Sequence, residues 1–487
     1  MSLPELIEIL PLDKPVRAEI TVPGSKSITN RALILAALAE GETTLQGALW
    51  SEDTEVVVEC LRDLGFMINL EPDPNEACNR TITVYGKGGV VPSGGTEAQP
   101  LELFVGNAGT AARFLAAFVC LGKGVYRLHG MPRMHERPQA ELFSALRQLG
   151  YTIESENHNE KLPAKITTAV TSGVAPRFGL QGRQPAGAAA ASCSVSIEES
   201  SQFASALLLS ANAGNWNVKI EGENAEESPY VVMTSELIKI FPHQSGTFQI
   251  EPDASSGSYF LAAERLLPPK EYMEYSEQFG IPLQTSVISR ARVANWPASG
   301  WQVDQKFDEV WMNLSHLIWP KADLESLSSE ESSYLREKSP KCVISRKKDL
   351  GDSIMTAIVL SPLAIRSVQF TDLGRLRVQE CERVLALRTE LTKCGAKVVE
   401  TGDTLEVFPS QLHGAEIETY NDHRMAMCFA ILGLKIPGIK IKNPACVKKT
   451  FPNFFQKLAA PPPHGLGVTI RHARTGRVFA QDQLFAE

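Results

Sequence analysis

The sequence predicts an α/β protein with two domains, each built from repeated units of helix and strand. A length of 487 residues exceeds what one hydrophobic core usually holds, so two or three domains are expected. Six segments share one design, and an amphipathic helix followed by glycine and a strand recurs between them. The composition, 43% hydrophobic and 21% charged, is typical of a soluble globular protein.

The six segments each begin as a polar loop, continue as a helix of small and apolar residues, and turn into a strand. Their openings contain Ser, Asn, Asp or Gly, which favour the start of a helix, and Ala and Leu follow, which favour its interior. They cover residues 23–45, 106–128, 200–220, 253–266, 350–370 and 421–441. One such segment would occur in any α/β protein, whereas six indicate internal repeats.

A second recurring piece supplies further strands. VVVECLRDLGFMINL, ELFSALRQLGYTIES and LRTELTKCGAKVVE each combine an amphipathic helix, a glycine that ends it, and an alternating strand. Helices rich in Ala and ringed by strands would be buried on most sides. We therefore expect two multi-repeat domains of α/β type.

Several stretches interrupt this pattern. The fourth segment lacks the expected strand after Leu266, and residues 285–348 are irregular, so the fourth and fifth repeats are predicted to be irregular. The polar run 324–340 and the low-complexity run 181–192 are predicted surface loops. The tail from Pro461 is interpreted either as a pair of strands or as a frayed end.

Charge and cysteine content restrict the class of ligand and the compartment. A net charge of -8 argues against general binding of polyanions such as nucleic acid, so an anionic ligand must be held by a few local basic residues. The N-terminus has no basic leader before an apolar run, and the apolar runs are too short for a bilayer, which predicts a cytoplasmic protein without a membrane anchor. Nine scattered cysteines without a CxxC pair favour reduced thiols over disulfides or a zinc site.

Basic residues stand unusually often at the helix openings. Lys26 and Arg31 open the first segment, Arg113 lies in the second, Arg424 lies in the sixth, and Arg137 precedes a further helix. Helix N-termini supply free N–H groups and positive dipole ends, which suit anions. Each residue taken singly is explained as a solvated loop charge. Together, in an acidic protein, they predict a small polyanionic ligand held between two domains.

Nine strings follow one another along the chain: PGSKSITNRALILAALAEG, FVGNAGTAARFLAA, PRMHERP, SSQFASALL, SPYVVMT, PDASSGSYFLAA, RVQECERVLALRTEL, TYNDHRMAMCFAI and KKTFPNFF. In this order they resemble the 5-enolpyruvylshikimate-3-phosphate (EPSP) synthase family, and fungal-type members most, because Phe114 stands where bacterial members often have Pro. The resemblance implies two inverse α/β barrel domains with three βαβαββ repeats each. Residues 1–22 and 252–487 would form the first, discontinuous domain and residues 23–251 the second.

The resemblance implies that the enolpyruvyl group of phosphoenolpyruvate is transferred to the 5-hydroxyl of shikimate 3-phosphate, with release of phosphate through a tetrahedral intermediate. It implies a monomer that needs no metal and no cofactor, since Lys and Arg supply the positive charge. Lys26, Asp352 and Glu380 match the proton-transfer group of the family. Asp352 would act as base at the hydroxyl, Glu380 would exchange protons at the methylene carbon, and Lys26 would lie between the substrates.

The resemblance also implies two binding sites. The phosphoenolpyruvate site matches Lys26, Asn107, Gly109, Arg137, Gln202, Arg383, His423, Arg424 and Lys449. The acceptor site matches Ser27, Arg31, Ser200, Ser201, Gln202, Tyr230, Asp352 and, at positions that differ from the family, Glu227, Arg375 and Gln379. Arg binds carboxylate and phosphate with a planar fork, so several around one trianion are expected.

The expected site for the acceptor's 3-phosphate departs from the family. Glu227 stands where the family has Ser, with Ser228 one place on, while Gln379 replaces a Lys and Arg375 replaces an Asn. A lost Lys costs about 1.5–3 kcal/mol, and a carboxylate about 4 Å from the phosphate adds repulsion of roughly 4 kcal/mol. Either Arg375 compensates and the ordinary reaction proceeds, or the chain is a repurposed relative that acts on a non-phosphorylated ring carboxylate in a secondary pathway.

Two further functions were considered. A non-catalytic relative that only binds ligands is disfavoured, because Lys26, Asp352 and Glu380 are all present. The related transferase that acts on a nucleotide sugar carries a reactive Cys in a mobile loop, and the matching loop MPRMHERP contains no Cys. Cys120 lies within an Ala-rich helix, where packing explains it.

Overall fold

The computed structural model describes residues 3–12, 17–168, 190–222, 228–266, 291–315 and 342–486. The chain divides into two compact units, one formed by Met1–Val22 with Pro252–Glu487 and the other by Pro23–Glu251. We call the first the discontinuous unit and the second the continuous unit. The predicted loop 324–340, most of the run 181–192, and Glu227 lie outside the described residues.

Short strands and helices alternate along the first half of the chain. Strands β1 (Leu6–Ile9) and β2 (Ala18–Ile20) belong to the discontinuous unit. The helices described in the continuous unit are α1 (Lys26–Leu38), α2 (Glu52–Asp63), α3 (Gly109–Phe118), α4 (Ala140–Gln148), α5 (Ser201–Gly214) and α6 (Ser228–Ile240). Its strands are β3 (Glu40–Leu49), β4 (Met67–Pro72), β5 (Asn79–Lys87), β6 (Leu101–Phe104), β7 (Val125–His129), β8 (Thr152–Ser155), β9 (Ala164–Thr167), β10 (Ala191–Ser196), β11 (Trp216–Glu221) and β12 (Gln244–Gln249).

The discontinuous unit resumes at Pro252. Its described helices are α7 (Ala254–Leu266), α8 (Phe307–Ser315), α9 (Ile354–Leu360), α10 (Arg383–Lys393), α11 (His423–Gly433) and α12 (Phe454–Ala459). Its further strands are β13 (Ala291–Val293), β14 (Cys342–Ser345), β15 (Val368–Thr371), β16 (Val398–Thr401), β17 (Thr404–Val407), β18 (Glu416–Ile417), β19 (Lys440–Lys442) and β20 (Ile470–His472).

One order of elements occurs in both units. The succession β6-α3-β7-α4-β8-β9 forms a sheet of order β6-β7-β9-β8, and β14-α9-β15-α10-β16-β17 forms one of order β14-β15-β17-β16. In each sheet the first two strands are parallel, with registers Leu101↔Tyr126 and Cys342↔Val368, and the other pairs are antiparallel. A helix joins the parallel strands because a short turn cannot. The order is the βαβαββ repeat that the sequence predicts.

Strands from distant parts of the chain complete the other sheets. In the continuous unit β12 pairs in parallel with β3, within the order β12-β3-β5-β4, and β10 pairs in parallel with β11. In the discontinuous unit β1 lies between β19 and β20 in the order β18-β19-β1-β20, and β2 pairs in parallel with β13. The N-terminal strands are therefore built into the unit that resumes at Pro252.

The Ala-rich helices are buried over most of their surface. All residues of α3 and of α11 are buried, as is the stretch of α1 from Ile28 to Ala37. Small side chains let neighbouring strands and helices approach such a helix from every side. Polar residues at the starts of these helices are consequently held in a close-packed frame.

The expectation of an irregular fifth repeat is wrong, whereas only residues 291–315 and 342–348 of the predicted irregular stretch 285–348 are described. The fifth repeat is a complete four-stranded sheet, because β16 and β17 pair with each other and β17 pairs with β15. Residues 285–348 contain α8, in which the rings of Phe307 and Trp311 stack with centroids 5.9 Å apart and are buried together with Leu314. The spacing of these three residues is that of an amphipathic helix, and the polar runs beyond it obscure this signal.

The tail from Pro461 contains a strand. β20 pairs with β1, and the Arg471 guanidinium donates to the Glu8 carboxylate at 2.9 and 3.0 Å. Of the two interpretations of this tail, the strand agrees with the structure.

The cysteines and the helix lengths also bear on the sequence interpretation. All nine cysteines are free thiols. Cys120 is fully buried, and burial raises its pKa above the usual range, which agrees with a packing role. Among the helices that the structure describes, none is long and apolar enough to cross a membrane.

Candidate active site

Lys26 begins α1, and a carboxylate from the next helix holds its ammonium group. Lys26 Nζ lies 3.0 Å from Asp53 Oδ2, and Asp53 is a buried residue in the first turn of α2. The positive end of the helix dipole disfavours a Lys at a helix start unless an anion is nearby. Asp53 supplies such an anion in this structure.

Arg31, one turn further along α1, is a buried cation whose hydrogen-bond acceptors are neutral. Its Nε donates to Thr234 Oγ1 at 2.8 Å, its Nη2 to Ser205 Oγ at 3.1 Å, and its Nη1 to the Ser27 carbonyl at 2.8 Å. Its guanidinium also lies 5.2 Å from the ring centroid of Phe114. Burial lowers the pKa of Arg31 to about 10. These hydroxyl and carbonyl groups orient the charge without neutralising it, an arrangement that suits an anion.

Two guanidinium groups lie against the start of α3. Arg113 Nη1 donates to the Gly109 carbonyl at 3.0 Å, and Arg137 Nη1 donates to the Asn107 carbonyl at 3.3 Å. A Cβ atom on Gly109 would lie 2.4 Å from Arg113 Nη1 and 2.7 Å from Arg137 Cζ. Glycine is therefore required for both arginines to reach this helix start. A helix N-terminus with two guanidinium groups is suited to phosphate or carboxylate.

Gln202 joins α5 to α3. Its Nε2 donates to Thr110 Oγ1 at 3.2 Å, and its Oε1 accepts from Arg113 Nη1 at 3.2 Å. Ser200 caps α5, because its hydroxyl accepts from the Gln202 N–H at 3.3 Å, and Ser201 is buried beside it. The network therefore brings together predicted residues at the starts of α3 and α5.

The remaining predicted residue of this unit is Tyr230 on α6. Its side chain is half-buried, and its carbonyl accepts from the Thr234 hydroxyl at 2.8 Å. Thr234 is also the partner of Arg31, so α6 joins the same network. Glu227 and the Ser228 side chain lie outside the described residues.

In the discontinuous unit, three guanidinium groups surround the carboxylate of Asp352. Arg424 Nε lies 3.0 Å from Asp352 Oδ2, Arg346 Nη2 lies 3.3 Å from Oδ1, and Arg383 Nη1 lies 3.6 Å from Oδ2. Burial acts to raise the pKa of Asp352, but the positive charges of Arg424, Arg383 and Arg346 outweigh it and hold the pKa well below its usual range. Asp352 is thus an ionised carboxylate.

Arg383 connects Asp352 with Glu380. Glu380 Oε2 lies 2.8 Å from Arg383 Nη2, and Glu380 Oε1 lies 3.2 Å from Lys449 Nζ. Burial acts to lower the pKa of Arg383, whereas the carboxylates of Asp422, Glu380 and Asp352 raise it above its usual range. Both predicted proton-transfer carboxylates of this unit are therefore joined through one guanidinium.

Asp422 organises the start of α11. Its carboxylate accepts from the Arg424 N–H at 2.9 Å and from Arg383 Nε at 2.6 Å. His423 is buried, with Nδ1 3.7 Å from Asp422 Oδ1. Asp is preferred at the N-cap, the position just before the first helical residue, and Asp422 there holds both the backbone of Arg424 and the guanidinium of Arg383.

The two predicted acceptor residues of this unit that differ from the family lie on one turn. Gln379 Oε1 accepts from Arg383 Nη1, and Gln379 Nε2 lies 3.5 Å from Asp352 Oδ1. Arg375 is half-buried in the 3₁₀ turn Gly374–Val378 that precedes Gln379. A neutral amide therefore bridges Asp352 and Arg383.

Several residues that hold the predicted side chains in place are not among those predicted from the sequence. Asp53 holds Lys26, Thr234 holds Arg31, and Arg346 holds Asp352. Arg346 had a signal, since it begins the basic run RKK shortly before Asp352. Asp53 and Thr234 lie in ordinary helical sequence, and only the fold places them.

The chain matches one protein family over most of its length. A statistical description of the family EPSP synthase (3-phosphoshikimate 1-carboxyvinyltransferase) matches residues 12–270 and 288–458. Two curated relatives, both called 3-phosphoshikimate 1-carboxyvinyltransferase, come from Nostoc sp. and Laribacter hongkongensis. Each is 35% identical to this chain, over 93% and 94% of it and over 98% and 99% of the relative.

Two solved structures have the same fold. The EPSP synthase of Acinetobacter baumannii superimposes with a TM-score of 0.62 at 19% identity, covering 96% of this chain and 100% of that one. The enolpyruvyl transferase NikO of Streptomyces tendae gives a TM-score of 0.57 at 14% identity, covering 98% and 99%. Both comparisons confirm the predicted enolpyruvyl transferase fold.

Proposed function

We propose that this chain, which belongs to the EPSP synthase family, transfers the enolpyruvyl group of phosphoenolpyruvate to the 5-hydroxyl of shikimate 3-phosphate and releases phosphate. The observation that carries the proposal is the arrangement of Asp352 and Glu380, two carboxylates joined through Arg383. An addition followed by an elimination needs groups that accept and return protons beside cations that neutralise a phosphate. This arrangement offers both kinds of group.

We assign donor binding to the basic residues that match the donor site of the family. They are Lys26, Arg137, Arg383, Arg424 and Lys449. In the structure Arg383 and Arg424 pair with Asp352, and Arg383 and Lys449 pair with Glu380. The phosphate and carboxylate of the donor would draw these cations into charge-assisted hydrogen bonds, which are stronger than neutral ones. Asn107, Gly109, Gln202 and His423 complete the donor site in this proposal.

The same exchange of partners would activate Asp352. Its low pKa makes it a weak base while Arg424 and Arg383 are paired with it. When these guanidinium groups turn to the donor, the positive charge at Asp352 falls and its pKa rises towards the usual range. Asp352 then accepts the proton of the attacking hydroxyl. Once Arg383 and Lys449 have turned to the donor, Glu380 can hold a proton, which it gives to the methylene carbon in the addition and takes back in the elimination. The proton on Asp352 leaves with the released phosphate.

For the acceptor we propose that Ser27, Arg31, Ser200, Ser201 and Tyr230 bind the ring acid and its substituents. The buried positive charge of Arg31 supports this, since a ring carboxylate would neutralise it. We also propose that the family's 3-phosphate site is altered here. Gln379 presents an amide that already bridges Asp352 and Arg383, where a Lys would have supplied a positive charge.

The neutral amide of Gln379, in place of a Lys, favours a second candidate function, which is transfer to a ring carboxylate that has no phosphate. We rank it below the ordinary reaction, because the matched proton-transfer residues are all present. A fungal-type affinity remains our proposal from Phe114, while the relatives compared above are bacterial. We further propose that the reaction takes place in the cytoplasm, which the free thiols suit, and on a single chain.

The test is phosphate release from phosphoenolpyruvate with shikimate 3-phosphate and, separately, with shikimate. We expect release with shikimate 3-phosphate. Preference for shikimate would instead establish the second candidate, and release with neither acceptor would contradict both. The variant Gln379→Lys is informative, since an added charge should favour the phosphorylated acceptor alone.

A further inference from the structure

Asp304 is a buried carboxylate in the stretch 285–348, to which the sequence assigns no role. It lies in the 3₁₀ turn Val303–Lys306, which leads into α8, and it is 4% exposed. A carboxylate buried this deeply is costly unless several donors satisfy it. The donors it binds therefore indicate what it does.

The donors of Asp304 come mainly from one turn. Its Oδ1 accepts from the N–H of Gly351 at 2.7 Å, from the N–H of Ser353 at 3.2 Å, and from the Ser353 hydroxyl. Its Oδ2 accepts from the hydroxyl of Ser255 on α7. A Cβ atom on Gly351 would lie 3.1 Å from both carboxylate oxygens, so glycine allows this close approach.

The residue between Gly351 and Ser353 is Asp352, the carboxylate that faces Arg424, Arg383 and Arg346. We infer that Asp304 is a positioning residue for the reaction, and this rests on the function proposed above. By binding the backbone on both sides of Asp352, Asp304 fixes the direction in which the Asp352 side chain leaves the turn. The geometry within which a base acts is narrow, and a small displacement lowers the rate strongly.

The same short segment also fastens the start of α7. Gln302 accepts from the Ala254 N–H at 2.9 Å and donates to the Pro252 carbonyl at 2.8 Å. Ser255, the donor to the second oxygen of Asp304, lies in this helix start. A purely structural role for Asp304 would therefore act through its bond to α7, whereas a positioning role acts through the bonds to Gly351 and Ser353.

The variants Asp304→Ala, Asp304→Asn and Ser255→Ala separate these roles. Asp304→Ala removes every bond to the turn. Asp304→Asn keeps one oxygen for the donors of the turn and can present its NH₂ to Ser255. Ser255→Ala removes only the bond to α7. Each is measured well below its melting temperature for kcat, for the two KM values, and for hydrogen exchange at the Gly351 and Ser353 amides.

We expect Asp304→Ala to lower kcat about a hundredfold and to speed exchange at both amides, with a much smaller change in the KM for phosphoenolpyruvate. Asp304→Asn should recover most of kcat, and Ser255→Ala should stay within about twofold of wild type.

A wild-type kcat in Asp304→Ala would overturn the inference, as would a loss in Ser255→Ala equal to that in Asp304→Ala. If Asp304→Ala does not fold, kcat values of Asp304→Asn and Ser255→Ala that both stay within about twofold of wild type, with exchange at the Gly351 and Ser353 amides unchanged, support the inference. A large and equal fall of kcat in both variants overturns it. A wild-type chain that releases no phosphate would overturn the proposed function, and the inference with it, whereas an active wild type with an unaffected Asp304→Ala overturns the inference alone.

Discussion

Arg424 Nε lies 3.0 Å from Asp352 Oδ2, and this ion pair joins the start of α11 to the turn before α9. The pair combines a cation assigned to the donor with a carboxylate assigned to the acceptor hydroxyl. Because the Arg424 guanidinium cannot pair fully with both the donor and Asp352, donor binding and the basicity of Asp352 should be coupled.

Asp352→Asn should lower kcat by about 10²–10⁴-fold, because it removes the proposed base while keeping the size of the side chain. Steady-state phosphate release measures this. Asp403→Asn is the matched control, since the Asp403 carboxylate is exposed and pairs with Arg377. The control should keep wild-type kcat, and an active Asp352→Asn would exclude Asp352 as the base.

Arg137→Ala should raise the KM for phosphoenolpyruvate by about 10- to 100-fold, because a charged hydrogen bond contributes about 1.5–3 kcal/mol. The neighbouring Arg133→Ala serves as control, as Arg133 pairs with Glu136 at the surface. Calorimetric titration with phosphoenolpyruvate gives the same comparison without turnover. Equal effects of the two changes would remove Arg137 from the donor site.

Gly109→Ala should also weaken donor binding, because the added Cβ would lie 2.4 Å from Arg113 Nη1 and 2.7 Å from Arg137 Cζ. One or both guanidinium groups must then move away from the start of α3. We expect the KM for phosphoenolpyruvate to rise about tenfold or more, while the KM for the acceptor changes little. Gly402→Ala controls for a general loss of stability: a Cβ there meets no atom within 4 Å, but the φ of +56° strains an alanine, so the melting temperature should fall while the KM for phosphoenolpyruvate stays unchanged.

Acid should destabilise the folded chain partly through Asp352. Its folded pKa lies below its unfolded pKa of about 3.9, so its stabilising contribution is fully present above that unfolded value. The contribution is lost as the pH falls from there towards the folded pKa. Melting temperatures between pH 7 and pH 3 should therefore fall less steeply for Asp352→Asn than for wild type. Parallel curves would show that the pKa of Asp352 is not depressed.

Much of this fold could be predicted from the sequence, because its signals are local. The helices α1, α5 and α11 follow polar openings, and Lys26, Ser201 and His423 are their first residues. Side-chain caps are present at Ser200 before α5 and at Asp422 before α11. The fifth repeat was misjudged because β14 has only four residues and follows a polar run, too short for a periodic pattern.

The parts that could not be predicted depend on contacts between residues distant in the chain. The pairing of Arg31 with Thr234, of Lys26 with Asp53, and of Asp304 with the turn at Gly351 has no local pattern. From its local sequence, each of these residues would be interpreted as an ordinary helical or loop residue. The matched motifs predict which residues bind substrates, but they do not predict which residues hold those side chains in place.

Transfer of the enolpyruvyl group is tested most directly by tracing the carbon atoms of phosphoenolpyruvate into the product. The wild-type chain is incubated with ¹³C-labelled phosphoenolpyruvate and shikimate 3-phosphate, and the products are analysed by mass spectrometry. We expect the three labelled carbons to appear together in the ring acid as an enolpyruvyl ether. One phosphate should be released for each ether formed. Phosphate released together with labelled pyruvate, or no labelled ring product with either shikimate 3-phosphate or shikimate, would contradict enolpyruvyl transfer.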